Sequence, residues 1–146
     1  MKIFIASDHG GFKLKGKLIS FLEKKFDISD LGPYKLRKND DYPDYALPLA
    51  RKVSRSKGSL GILLCRNGQG MCIAANKVKG IRAVTGFSKK MVKSTRADDN
   101  ANVLCIPADY VSEKEVREIV RVFLFTKFSK ASRHVRRLNK VRKLEK

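Results

Sequence analysis

The sequence predicts an α/β fold, a parallel sheet with helices on both faces. Three observations carry this. Apolar runs of strand length alternate with stretches of helical spacing along the chain. Leu60–Leu64 has no polar residue, as expected of a strand covered on both sides. Strand-to-strand crossovers in parallel sheets are right-handed, so repeated strand–helix units place helices on both faces.

Each element follows from local chemistry. Lys2–Ser7 reads as a buried strand, and Asp8-His9-Gly10-Gly11 as a polar turn. Phe12–Phe26 has helical spacing, with Leu14, Leu18, Phe21 and Leu22 on one face. A short strand over Asp27–Leu31 ends at Gly32-Pro33, and a polar loop leads to Pro43. Asp44 is placed to cap a helix from Tyr45 to Arg55, with Pro48 tolerated near its start. Leu60–Leu64 runs into Cys65-Arg66-Asn67-Gly68-Gln69-Gly70, followed by a helix over Met71–Lys77. Ile81–Thr85 is the fourth strand, Ser88–Ala97 a polar helix and Val103–Ile106 the fifth strand. Ser112 and Glu115 form a capping-box pattern opening a helix through Phe125, with Val116, Ile119, Val120 and Phe123 on its core face. Residues 130–146 have helical propensity and are strongly basic, so they are expected over a surface.

The 146 residues and 42% apolar content suit a single domain, 1–146, with 130–146 as a basic helical tail. No apolar run is long enough to span a bilayer, so no membrane partner is expected. The chain starts in strand-like sequence rather than a secretory signal, and its three cysteines cannot all pair with one another. A reducing, cytoplasmic setting with free thiols is therefore expected. The net charge of +19 suits phosphate-bearing partners, whether small metabolites, nucleic acid or an anionic surface, and equally serves solubility or adaptation to an unusual cytoplasm. Without a recognised binding motif it predicts only non-specific, salt-sensitive adhesion to nucleic acid.

In sheets of this kind ligands bind beyond the carboxyl ends of the strands. Asp8-His9 and Cys65–Gly70 fall there, and the loop after the fifth strand is a third candidate. Cys65 ends a strand and faces a helix start, where backbone N–H groups and Arg66 are expected to lower its pKa. A thiolate there can take a proton from a carbon next to a carbonyl; a buried structural cysteine explains the residue as well. Cys72 and Cys105 read as structural. Gly68 and Gly70 allow a tight turn whose N–H groups can hold a phosphate or an enediolate oxygen, or serve the turn alone. The turn lacks the Lys-Ser/Thr of a nucleotide-binding loop. Asp8-His9 can orient a sugar, or Asp8 can cap the next helix. Arg133 and Arg137, four apart on a helix, can share one phosphate or form a solvated face. No cluster has metal-ligand spacing, and an enediolate isomerisation needs no cofactor.

Together these motifs resemble the family of ribose-5-phosphate isomerase B and the galactose-6-phosphate isomerase subunits. The resemblance rests on Ser7–Lys15, Asp41–Ala46, Gly61–Cys65 with Gly68 and Gly70, Ile73–Lys77, Gly80–Ala83, Ala101–Leu104 and Arg133-His134. It implies a Rossmann-like three-layer sandwich around a parallel five-stranded sheet, with a C-terminal helical extension. It also implies a sugar-phosphate substrate and a homodimer, or a tetramer, with shared active sites. Cys65 matches the family's base between C1 and C2, and Asn67 a Thr or Ser beside the substrate. Gly68, Gln69 and Gly70 match the anion hole. Asp8, His9 and Tyr42 match substrate contacts, and Arg133 and Arg137 phosphate ligands.

Three positions depart from that pattern. Asp98, followed by Asp99, stands at the family's ring-opening histidine, Asp109 at a phosphate-binding arginine, and Arg66 at a common glycine. Asp98 can shuttle a proton if burial or the like charge of Asp99 raises its pKa, Asp99 is read as a substrate-side neighbour, and Arg66 as a phosphate ligand or an ion-pair partner of Asp98 or Asp109; equally, Arg66 can point to solvent while Asp98 and Asp109 only cap helices or turns. The function implied is ribose 5-phosphate to ribulose 5-phosphate isomerisation. The alternatives are another sugar phosphate, of galactose or allose 6-phosphate type, or a non-catalytic binder of sugar phosphate or nucleic acid.

Overall fold

The computed structural model describes residues 1–145. Its strands are β1 Lys2–Ser7, β2 Asp27–Asp30, β3 Leu60–Cys65, β4 Ala83–Thr85 and β5 Val103–Pro107. The helices are α1 Phe12–Leu22, α2 Pro43–Arg55, α3 Gln69–Ala75, α4 Lys89–Asp99, α5 Glu113–Phe125 and α6 Ser132–Arg142. The strands form one parallel sheet in the order β2-β1-β3-β5-β4.

The two-residue period of a strand divides the core into two layers. Ile3, Ile5, Ile62, Leu64, Leu104 and Ile106 pack with Leu18 and Leu22 of α1, Val92 of α4, and Val116, Ile119 and Phe123 of α5. Phe4, Ala6, Leu63, Cys65, Val103 and Cys105 face the other way, against α2 and α3. The three-layer α/β reading therefore holds, and Cys65 belongs to the α2/α3 layer.

Several boundaries differ from the sequence reading. α1 stops at Leu22; Lys25 and Phe26 N–H groups both donate to the Leu22 carbonyl in a turn, and the Phe26 ring packs tilted at 55° against Phe125. α1 also buries Lys15, whose Nζ donates to Asp30 Oδ1 at 2.7 Å and to the Pro33 carbonyl at 2.9 Å. Asp44 does not cap α2. Tyr42 is the N-cap, Pro43 takes the first helical position, where its missing N–H is harmless, and Asp44 lies in the first turn. β4 is shorter because Arg82 N–H is taken by Asn102 Oδ1 at 2.7 Å. Ser112 and Glu115 form the expected capping box. Within α6, His134 is buried while Arg133 and Arg137 are exposed. No described helix is long and apolar enough to cross a membrane.

Candidate active site

The chain reverses its lateral progress between β1 and β3, the switch point where ligands bind in open α/β sheets. Asp8 follows β1 there and Cys65 ends β3. Their turns are joined by Asp8 N–H donating to the Leu64 carbonyl at 3.2 Å.

The Cys65 turn is built around its sulfur. Gly68, at φ +75°, caps α3 and donates its N–H to Cys65 Sγ at 3.2 Å. A side chain at Gly68 would also meet Thr85 at 2.9 Å and the Cys105 carbonyl at 3.3 Å. Asn67 Oδ1 accepts from Gln69 N–H at 3.0 Å, and Gln69 Oε1 accepts from the Thr85 hydroxyl at 3.3 Å. At the rim the Tyr42 ring lies flush over Gly70, where an added Cβ would stand 2.9 Å from its Cζ. Cys65, Asn67, Gly68, Gln69, Gly70, Tyr42 and Asp8 thus come together as the sequence implied.

The expected acidification of Cys65 does not occur. Burial raises the thiol above its ordinary pKa, against the lowering pull of the Met71, Gly68 and Asn67 N–H groups; the Asp8 carboxylate adds to the rise. Arg66 does not act on it, because its guanidinium points outward, 68% exposed, with Nη1 3.4 Å from Asp109 Oδ2. Its stem lies across Gly10, where a Cβ would be 2.6 Å from Arg66 Cγ. Arg66 therefore pairs with Asp109 and not with Asp98. The Cys72 thiol is shifted the other way from that of Cys65. It is half-buried, and the Cys105 thiol pulls it down to about 7 against burial. Its sulfur nevertheless donates to the Ala83 carbonyl at 3.2 Å, outside the turn that holds Cys65.

Asp8 does not cap α1; Gly11 does. Asp8 Oδ1 accepts from Gly10 N–H at 2.9 Å and Gly11 N–H at 3.2 Å, so it braces the turn. Burial raises its pKa despite those two bonds. His9 is held by a residue the sequence reading missed. Asp40 Oδ1 accepts from His9 Nδ1 at 2.7 Å and from its backbone N–H at 3.1 Å. Burial pushes the Asp40 carboxyl up, but these bonds outweigh it and leave it below its usual value. With Nδ1 committed to Asp40, Nε2 is the ring nitrogen left for a ligand. Asp40 lies in a polar loop 31 residues from His9, and nothing in its local sequence marks it.

Asp98, Asp99, Arg133 and Arg137 are elsewhere. The carboxyl end of α4 lies where β5 begins, so Asp98 and Asp99 sit at the amino end of the sheet. Six residues of β3 put that end about 16 Å from Cys65. Asp98 Oδ1 is 3.6 Å from His134 Nδ1, which also shares a 2.8 Å bond with Ser129 Oγ. No hydrogen bond or ion pair joins these four residues to the Cys65 turn among the described residues. Nor does any group of three or more His, Cys, Asp or Glu side chains there form a metal site.

The sequence matches the Ribose/Galactose Isomerase family over residues 3–141. A Mycoplasma genitalium protein named probable ribose-5-phosphate isomerase B is 47% identical over 146 residues, covering 99% of this chain and 95% of that one. The crystal structure of ribose-5-phosphate isomerase B from Mycoplasma genitalium with bound ribulose-5-phosphate superposes with a TM-score of 0.95 at 46% identity, over 99% and 95% of the two chains. Type B ribose 5-phosphate isomerase of Trypanosoma brucei gives 0.94 at 39% identity, over 99% and 98%. With the family model matched over residues 3–141 and these relatives matched over nearly their full length, the chain belongs to the ribose/galactose isomerase family.

Proposed function

We propose that this sugar-phosphate isomerase interconverts ribose 5-phosphate and ribulose 5-phosphate, with Cys65 as the base. The observation carrying this reading is Cys65 Sγ at a strand's carboxyl end, 3.2 Å from the Gly68 N–H. The Mycoplasma genitalium relative with bound ribulose-5-phosphate supports the substrate. The Cys65 thiolate takes the proton from C2 of the open-chain aldose as the C1 carbonyl becomes an enediolate oxygen. The thiol returns that proton to C1 while the O2 proton passes to O1, giving the ketose and regenerating the thiolate. The Gly70 N–H holds the developing oxyanion, joined by the Gly68 N–H as the sulfur takes up its proton and releases it, with Asn67 and Gln69 shaping the turn around it. Asp8, His9 and Tyr42 hold hydroxyls along the chain, and no step requires a cofactor. A direct assay over a panel of pentose and hexose phosphates tests the substrate. Turnover of ribose 5-phosphate well above the hexose phosphates is expected, and its absence refutes the assignment.

The placement of Asp98, Asp99, Arg133 and Arg137 supports a dimer in which the neighbouring copy supplies them. In this reading residues 1–146 act as one cytoplasmic catalytic domain. The arginines grip the phosphate, Asp98 shuttles a proton in ring opening, and Asp99 lies beside the sugar. Light scattering at assay dilution should give at least a dimer; an active monomer would contradict the shared site.

Arg66 is proposed as a further phosphate ligand, restrained by Asp109. An exposed pair of this kind is worth up to about 1 kcal/mol, and substrate phosphate must displace the carboxylate to use the cation. Arg66→Gly should raise KM roughly tenfold with little change in kcat. Asp109→Asn should move KM the opposite way, about two- to fivefold lower. Unchanged constants in both variants would place Arg66 outside the site.

A further inference from the structure

At the amino end of the sheet, opposite Cys65, lies a cleft of about 330 Å³ lined by the starts of β3 and β5, the turn after α2 and the segment before β4. Three cationic side chains face it, Lys57, Arg82 and Arg96, and no Asp or Glu is among its lining residues. The remaining lining includes the polar groups of Ser56, Ser59 and Asn102.

The two arginines are fixed from behind. Arg82 Nε donates to the Asn100 carbonyl at 2.8 Å and Nη1 to the Gly80 carbonyl at 3.3 Å. Arg96 Nε donates to the Phe123 carbonyl at 3.1 Å, and Nη1 to the Ala101 carbonyl at 2.5 Å and to Asn100 Oδ1 at 3.3 Å. These acceptors fix the planes and leave each Nη2 without a protein acceptor among the described residues. Glu145, the carboxylate that acts on Arg82, lines the adjoining cavity beside α6, where it accepts the Gly80 N–H at 3.0 Å. Both guanidiniums are half-buried; burial lowers their pKa values, and Arg82 lowers that of Arg96 further. Two partly desolvated like charges held at one cleft without a carboxylate in it are relieved by an anion, and guanidinium edges suit phosphate oxygens.

We infer that this cleft is a second anion site, which takes a compact phosphate- or pyrophosphate-bearing molecule and is separate from the Cys65 mouth. It stands on its own groups and does not depend on what the Cys65 site turns over. Titration of the intact protein with inorganic pyrophosphate, followed by amide NMR and calorimetry, tests it. Shifts at Lys57–Ser59 and Gly80–Arg82 are expected. Lys57 is exposed, so Lys57→Glu tests the cleft with little risk to the fold; it should weaken pyrophosphate on the order of tenfold. Lys114→Glu makes the same change in net charge at the far end of the sheet and should leave binding within about twofold. Arg82→Lys keeps the charge but loses the fork and should weaken binding without abolishing it. Equal weakening by Lys57→Glu and Lys114→Glu, or shifts confined to the Gly68–Gly70 turn and α6, would overturn the proposal.

Discussion

Cys65→Ala is expected to reduce kcat by on the order of 10²-fold or more while the protein stays folded. The side chain is buried but small, and its replacement removes one sulfur from the α2/α3 layer without opening the sheet. Cys65→Ser keeps the shape and offers a far weaker acid, so it should fare little better. The pH profile supplies an independent reading. Because burial raises the thiol, only a minor fraction is thiolate at neutral pH, and kcat/KM should climb with pH until the group titrates above its ordinary value. Cys72 is the control, since it is the more acidic thiol yet lies outside the turn. Cys72→Ser should keep activity within about twofold. Near-normal turnover in Cys65→Ala, or a collapse in Cys72→Ser, would move the base elsewhere.

Gly11→Ala should be the most destabilising single methyl in the chain. A Cβ at Gly11 would lie 2.5 Å from the Leu64 carbonyl oxygen and 2.6 Å from its carbonyl carbon. Those atoms belong to the central strand, one residue before Cys65, and cannot swing aside as a side chain would. The turn must lift off β3 and give up the Asp8 contact to Leu64, a loss of about 3 kcal/mol. In urea that should lower the unfolding midpoint by roughly 1–2 M. Gly16, in the middle of α1, has no atom within 4 Å of an added Cβ. Gly16→Ala should therefore raise stability by about 0.5–1 kcal/mol through helix propensity. Equal midpoints for Gly11→Ala and the unmodified protein would show that the turn is not packed against β3.

The alternation of strands and helices was legible because both faces of the sheet are covered, which writes β3 as Leu60–Leu64 without a polar break. The Cys65 turn was legible because its chemistry is contiguous in sequence. Contacts across long loops were not. Asp40 reaches His9 and Asp30 neutralises Lys15, and in both cases the partner carries no mark of its own; only the Arg66–Asp109 pair was among the contacts expected. Lys15 even breaks the rule that read α1, since a lysine on the core face looks like an interruption until its carboxylate is found. The thiol of Cys65 was misjudged because neighbouring N–H groups are visible in sequence and desolvation is not. Asp98 and Asp99 were read as site residues through family resemblance, Arg133 and Arg137 also through their four-residue spacing, and the fold of one copy leaves all four apart from the Cys65 turn.

The strand order carries a consequence for how the chain is made. β5 separates β3 from β4, so Ala83–Thr85 has no neighbour in the sheet until Val103–Pro107 has been synthesised. A growing chain that has left the ribosome only as far as α4 holds β2, β1 and β3 together with an open edge on β3, the strand that carries Cys65. That edge is a template for stray pairing during translation, and the late strand that fills it also brings Cys105 and Pro107 alongside the site. The Cys65 end of this sheet is thus among the last parts of the nascent protein to acquire its neighbours.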